Sequence, residues 1–293
     1  MLDLTIYVLT RNRSDLLIET INSIINQTYK KFYLIVSDNS INDTTKNVLD
    51  IYPYKDSLKY IKRDGTLTGI EHLNLILSEV STKYLMMFHD DDIMLPDMIE
   101  KLYTCLSVHS SLVAVACNAY MLKGNVFTFN KIVRTKDVLY DNVDKMVESY
   151  LRRKNTPLFP SYMYNMDILK EEKFICNRGQ KYADAAFVCS LLLKGKIFFI
   201  SQPLFYYRIH SQQDSHFFDF KGYSQLYHYL IDISSFSKYD KNVISFRLYN
   251  IYWNYVSNKD KFSNGMFFRL LKFFLLKHNY VLLSKLLVRK IFK

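Results

Sequence analysis

Short apolar runs and amphipathic stretches alternate through the first half of the chain. The runs at 4–9, 32–36, 58–61, 84–88 and 112–122 are too short for helices and bounded by polar turns, so each predicts a strand. Between them, 14–27, 43–51, 69–80 and 97–108 carry apolar residues at helical spacing. In 14–27 that spacing sets Leu17, Ile21, Ile24 and Ile25 on one face, with Ser14 as the expected N-cap. In 69–80 it turns Leu73, Leu77 and Val80 inward. Strand–helix alternation at this interval predicts a parallel sheet covered on both faces. Further along, 159–165 reads as a strand and 167–172 as a short helix. A helix with Asp184 near its start and Phe187, Leu191 and Leu192 on one face ends at Gly195. Strands are expected at 197–200 and 205–209, and helical periodicity returns over 223–258 as a cap with no visible chemistry.

The polar residues that follow the strands matter more than the strands. The first run ends in Thr10-Arg11-Asn12-Arg13, the second in Ser37-Asp38-Asn39-Ser40, the third in Lys62-Arg63-Asp64 and the fourth in His89-Asp90-Asp91-Asp92. Strand ends of a parallel sheet share an edge, so these groups converge on one crevice, the usual ligand position in an open α/β sheet. Three adjacent carboxylates at the end of a buried strand repel one another unless a cation sits among them. Hard oxygen ligands favour Mg²⁺ or Mn²⁺, ions suited to a diphosphate. A solvated acidic turn is the plainer alternative, ranked second because the apolar strand aims the acids at the edge. There is no GxGxxG after the first strand and no GxxxxGK[ST] anywhere, so a metal is the natural substitute for a backbone phosphate cradle. Asp38 is suited to accept a hydrogen bond from a base or ribose, or simply to form the turn before Asn39 and Ser40. Arg11, Arg13 and Arg63 are candidates for phosphate, each with an ordinary surface charge as the alternative.

Composition narrows the setting. With 293 residues, 49% of them hydrophobic, and only 7 glycines and 5 prolines, the chain is globular and long enough for a full core. The net charge of +11 is concentrated at the end: residues 255–293 hold nine Lys/Arg against Asp260 alone. That argues against a chain-wide nucleic-acid surface. Residues 266–293 read as a basic amphipathic helix pair broken near Asn279, suited to an anionic membrane surface, with a core-packed pair as the alternative. Cys105, Cys117, Cys176 and Cys189 show no CxxC or metal spacing and read as buried thiols in a reducing compartment. The N-terminus lacks the basic region of a signal peptide, and no apolar run spans a bilayer. The expected location is cytoplasmic, with peripheral contact at the inner membrane face.

Several segments carry a family resemblance. The opening VLTRNRSDLLIETINSIINQTYKKFYLIVSDNSINDTT resembles that of family 2 glycosyltransferases, most closely in NQTYKKF and IVSDNS, and YLMMFHDDDIMLPDMI resembles that family's DXD region. The likeness runs from about Leu2 to Val108 and resumes at Tyr182–His210. It implies the GT-A fold: a Rossmann-like, mostly parallel α/β sheet with helices on both faces, over residues 1–215. A helical, basic region over 216–293 follows. It also implies a sugar transferred with inversion from a nucleotide diphosphate, UDP- or dTDP-linked, with Mn²⁺ or Mg²⁺. The acceptor is expected to be a glycan or lipid-linked hydroxyl in bacterial surface polysaccharide or lipid-linked glycan assembly.

By the same resemblance, Thr10 and Asp38 match nucleotide-holding positions, and Arg63 lies near another. Asp91 matches the acid that reaches metal and diphosphate. The first family Asp is replaced by His89, Asp90 fills the middle position and Asp92 follows, so all three acids are metal candidates and Asp90 also faces the nucleotide. The segment after residue 179 resembles the family's Glu-Asp helix and YRxH segment. Its Glu falls on Ala183 and its Asp on Asp184, the residue implied to deprotonate the acceptor, with a helix N-cap as the alternative role. His210 is implied as a metal or diphosphate contact. Residues 124–155 are expected to cover the acceptor side. The competing readings are a sugar nucleotidyltransferase, which normally carries a glycine-rich basic loop after the first strand, and an inactive nucleotide-sugar or carbohydrate-binding subunit at a membrane, to which the Ala183 replacement lends mild support.

Overall fold

The computed structural model describes residues 2–124, 126–128, 136–152, 156–169, 171–210, 218–257, 268 and 271–272. Ten strands occur among them: β1 (Leu4–Thr10), β2 (Tyr33–Asp38), β3 (Lys59–Lys62), β4 (Tyr84–His89), β5 (Ile93–Met94), β6 (Leu112–Lys123), β7 (Val126–Thr128), β8 (Val138–Tyr140), β9 (Met163–Asn165) and β10 (Lys196–Ile209). The helices are α1 (Ser14–Ile25), α2 (Thr44–Asp50), α3 (Gly69–Glu79), α4 (Met98–Val108), α5 (Val143–Leu151), α6 (Met166–Leu169), α7 (Ala183–Leu191), α8 (Phe220–Asp232) and α9 (Lys241–Ser257).

One sheet runs β3-β2-β1-β4-β9-β6-β10-β5, with β7 on β6 and β8 on β10. The β3-β2-β1-β4 part is parallel, as alternation predicts. The sheet as a whole is mixed, because β9 is antiparallel to both of its neighbours, β4 and β6. The expected strand at 159–165 shortens to β9, preceded by a 3-10 turn at Phe159–Ser161 that carries Pro160, a residue unable to donate to a ladder. The two strands expected at 197–200 and 205–209 are one strand, β10, whose register against β6 shifts on both sides of Pro203. A bulge there re-aims the strand without ending it.

Alternation along the strands feeds two cores. Leu4, Ile6, Val8, Met86 and Phe88 pack with α1, α2 and α4 on one face. Tyr7, Leu85 and Met87 pack with α3, α5, α7, α8 and α9 on the other. Leu17, Ile21 and Ile24 are buried in α1 as the spacing predicts, and Ile25 packs at the edge of that core. Ser14 is the first helical residue and not the cap; Arg13 occupies the cap position and makes no capping bond. On α3 the fully inward residues are His72 and Ile76, while Leu73, Leu77 and Val80 are only partly buried. A hydrogen bond between His72 Nε2 and Ser37 Oγ, 2.7 Å, draws that face toward β2. The four cysteines are unpaired; Cys117 and Cys189 are buried, but Cys176 is exposed on a short surface turn.

Residues 211–217, which include the expected boundary at 215, and most of the basic stretch 266–293 lie outside the described residues. No helix among the described residues is long and apolar enough to cross a membrane.

Candidate active site

Register brings the predicted polar residues to one edge. Lys62 pairs with Asp38, Asp38 with Thr10, and Leu9 with His89, so the strand ends of β3, β2, β1 and β4 form a row. The loop after β1 is shaped by Asn12, whose φ of 55° is left-handed and suits an Asn. Its N–H donates to Ser40 Oγ at 2.7 Å, and its Oδ1 accepts from the Ile41 N–H at 3.2 Å. The TRNR and SDNS segments are thereby fastened together.

The loop after β4 is held from below by Gln27, which is fully buried. Its Nε2 donates to the carbonyls of Ser23 and Leu95, at 3.0 and 2.6 Å, and its Oε1 accepts from the Ile99 N–H at 3.0 Å. The Thr28 N–H donates to the Pro96 carbonyl at 2.8 Å. The NQT segment therefore ties the end of α1 to the start of α4 and sets the intervening acids in place.

Asp90, Asp91 and Asp92 are all buried, with 0%, 4% and 0% exposure, which removes the solvated-turn alternative. The Arg13 guanidinium bridges Asp90 and Asp91, 2.7 Å from Asp90 Oδ1 and 3.0 Å from Asp91 Oδ2. His210 Nε2 lies 2.8 Å from Asp91 Oδ2. Asp92 Oδ1 accepts from the Arg208 N–H at 2.9 Å, and the Arg208 guanidinium reaches the Asp91 carbonyl at 2.8 Å. The YRIH segment at the end of β10 thus clasps the acidic run. Burial pushes Asp90 up to about 6 despite Arg13. Burial and the neighbouring Asp91 raise Asp92 well above the ordinary carboxylate range. Burial acts on Asp91 too, but His89, Arg13 and His210 outweigh it and hold that carboxyl below its usual value.

These residues fit a divalent cation. One ligand atom from each of His89, Asp91 and Asp92 lies within 4.8 Å of the others. Asp92 Oδ2 is buried and accepts no hydrogen bond, the mark of an oxygen set for a ligand the protein does not supply. Two placements at this edge go beyond the sequence reading: His89 joins the acidic cluster, and of the candidate arginines Arg11, Arg13 and Arg63 it is Arg13 that reaches the acids.

The remaining candidates are tied elsewhere. Arg11 donates to the carbonyls of Leu67 and Gly65, at 3.2 and 3.3 Å. Arg63 donates to Ser37 Oγ at 2.9 Å and to both carboxylate oxygens of Glu79, at 2.7 and 2.6 Å. Asp38 is fully buried, and its carboxylate accepts from the Ser40 N–H, the Tyr60 hydroxyl and Lys62 at 2.8, 2.8 and 3.3 Å.

Asp184 stands apart from the acids, in the first turn of α7. Its Oδ1 accepts from the Ala185 N–H at 2.8 Å, and burial raises its pKa. It faces a cavity of about 200 Å³ lined by Tyr150, Phe159, Tyr182, Tyr223, Leu226 and Phe246, among others. The Phe159 ring also lies 5.8 Å from the His89 ring, so one aromatic side chain separates this cavity from the acidic cluster. Tyr223 and Leu226 come from α8 and Phe246 from α9, the helices whose sequence shows only periodicity. No motif marks them; only their packing against α7 reveals them.

A mixed α/β sheet with helices on both faces and acids at the ends of its parallel strands is the architecture of GT-A glycosyltransferases, and the solved structures similar to this chain are of that class. S. aureus TarS residues 1–349 in complex with UDP-GlcNAc superposes with a TM-score of 0.61 at 16% identity, covering 91% of this chain and 76% of that one. The mannosyltransferase PcManGT from Pyrobaculum calidifontis, in complex with GDP-Man and Mn²⁺, superposes with a TM-score of 0.58 at 15% identity, over 86% of this chain and 71% of that one. At the level of sequence, the glycosyl transferase family 2 model matches residues 5–183, and the chain belongs to that family. An uncharacterised glycosyltransferase of Haemophilus influenzae is 27% identical over 220 residues, 72% of this chain and 67% of the relative.

Proposed function

We propose that the protein transfers a sugar from a nucleotide diphosphate, UDP- or dTDP-linked, to a hydroxyl of a glycan or lipid-linked acceptor, inverting the anomeric carbon. The observation that carries this reading is the placement of Asp184. Its carboxylate faces an aromatic cavity that adjoins the acidic cluster through Phe159. Donor and acceptor groups thus stand on two sides of one ring.

On the donor side, Thr10 and Asp38 sit paired at the ends of β1 and β2, beside Asp90. Asp38 and Arg63, bonded internally, keep that edge in shape, and Arg11 fixes the loop at residues 65–67. Asp91 and Asp92, with His210 on Asp91, are the residues that would hold Mn²⁺ or Mg²⁺. A bound ion of this kind offsets the charge that grows on the departing diphosphate. Asp184 takes the proton of the acceptor hydroxyl as its oxygen attacks the anomeric carbon. The bond to the diphosphate breaks on the opposite face, and the configuration inverts. Burial raises the pKa of Asp184, which makes its carboxylate a stronger proton acceptor. Aromatic walls suit the apolar faces of a sugar ring, which supports a glycan acceptor. The positive charge gathered in 255–293 supports a lipid-linked one met at the cytoplasmic membrane face.

Asp184→Asn tests the reading. Sugar transfer should fall by about 10²–10⁴-fold, the usual worth of a general base, while donor binding measured by calorimetry is retained. Undiminished transfer would remove Asp184 from the role of base.

A further inference from the structure

The residue that opens the acidic run is a histidine, and its place in the cluster goes beyond the metal reading above, on which it rests. His89 ends β4. Its Nδ1 lies 3.9 Å from Asp92 Oδ2, the buried oxygen that accepts no hydrogen bond. Its ring leans on Phe159, with the planes 33° apart, which limits the directions its nitrogens can take. Asp90, the first of the three acids, is turned to Arg13 at 2.7 Å, and the same guanidinium reaches Asp91 Oδ2 at 3.0 Å. The groups whose ligand atoms converge are His89, Asp91 and Asp92.

We propose that His89 is itself a metal ligand, so that the site offers one imidazole nitrogen and two carboxylates and selects Mn²⁺, Co²⁺ or Zn²⁺ over Mg²⁺ and Ca²⁺. Mg²⁺ and Ca²⁺ are hard ions that take oxygen ligands, and Mg²⁺ keeps much of its water shell. An imidazole nitrogen adds little for them. First-row transition ions accept nitrogen readily, and their affinity for a nitrogen–oxygen site rises from Mn²⁺ through Co²⁺. Two carboxylates balance the charge of one divalent ion, and Arg13, which bridges Asp90 and Asp91, offsets the third negative charge. His89 is thus a specificity-determining residue for the ion, and the neighbouring Phe159 ties its orientation to the wall of the Asp184 cavity.

The test uses the full chain, stripped of metal with a chelator and with no sugar nucleotide present. MgCl₂, MnCl₂ and CoCl₂ are titrated separately by calorimetry, and the Co²⁺ complex is also read by its visible absorption. The wild type should bind Mn²⁺ and Co²⁺ roughly tenfold or more tighter than Mg²⁺, and His89→Ala should lose about that factor for Mn²⁺, by the scale on which supporting groups alter metal affinity. His89→Asp should bring Mg²⁺ and Mn²⁺ close together and shift the Co²⁺ spectrum. Circular dichroism of each metal-free variant shows whether it is folded. If folded His89→Asp and His89→Ala keep the wild-type ratio and spectrum, the ligand assignment is overturned, although the ion-dependent reading of the site survives. If the wild type binds none of the three ions, both fall together.

Discussion

Burial of Asp184 costs stability while it strengthens the residue for its proposed role as base. Its pKa is raised because the charged form is poorly solvated. A raised carboxyl pKa means that the native state holds the proton more tightly than the unfolded chain. Stability from that preference is present at low pH and is lost as pH rises through the folded value. At pH 7 the carboxylate therefore costs stability, and Asp184→Asn should melt at or above the wild-type temperature. The difference should disappear near pH 4, where the unfolded carboxyl also gains its proton. A variant that melts well below wild type at pH 7 would show that the bond to Ala185 dominates.

His72 works the other way. Burial first, then the Arg63 charge, lowers its pKa to about 4, and it is only 5% exposed. The unfolded imidazole takes up a proton near pH 6.5 and the folded one does not. Stability is then complete above that pH and is lost as pH falls toward 4, at about 1.4 kcal/mol per unit at most. His72→Gln, which keeps a hydrogen-bonding group near Ser37, should flatten the dependence of urea midpoint on pH between 6.5 and 4. An unaltered slope would assign the acid sensitivity to other groups.

At the scale of elements, the link between α1 and α4 rests on Gln27. Replacement by Met leaves the buried Ile99 N–H without its partner, while the Leu95 carbonyl keeps the bond from the Met98 N–H. The expected loss in urea denaturation is roughly 1–3 kcal/mol, the cost of one unsatisfied buried group. A loss below about 0.5 kcal/mol, the range of ordinary surface changes, would mean that the bonds are replaceable. The parallel strands and helices α1 to α4 were legible because each keeps a clean period and both faces of the sheet are covered. The elements that escaped have local reasons. β9 is three residues long and lies against a turn carrying Pro160. β10 was divided because its bulge at Pro203 interrupts the alternation. On α3, Leu73, Leu77 and Val80 pack against the core as the spacing predicts, and the pattern misses only that a polar residue, His72, is buried beside them and bonded to Ser37.

At the scale of the whole molecule, the polar strand edge was largely readable and the cavity at Asp184, the proposed acceptor side, was not. Strand ends in a parallel sheet must meet, so the four polar clusters announced themselves. The cavity at Asp184 is assembled from α5, α7, α8, α9 and the turn at Phe159, and distant segments that meet by packing leave no motif. Gly222 shows how close that packing is: a Cβ there would lie 2.5 Å from the Gly179 carbonyl oxygen. Gly222→Ala should push α8 off the 3-10 turns before α7, cost roughly 1–3 kcal/mol and impair acceptor use. Donor affinity should hold, because the acids lie on β4 and β10 contacts. Weakened donor binding would tie the two sides more tightly than the geometry implies.

In the function proposed here, a divalent ion on the buried acids is what lets the strand edge hold a nucleotide sugar. Calorimetric titration of a panel of nucleotide sugars into the full chain, with MnCl₂ and then with excess chelator, tests it most directly. At least one sugar nucleotide should bind with MnCl₂, lose that binding in chelator, and fail to bind a folded Asp91→Asn, Asp92→Asn variant. Binding of equal strength in chelator, or unchanged binding by that variant, would contradict the account.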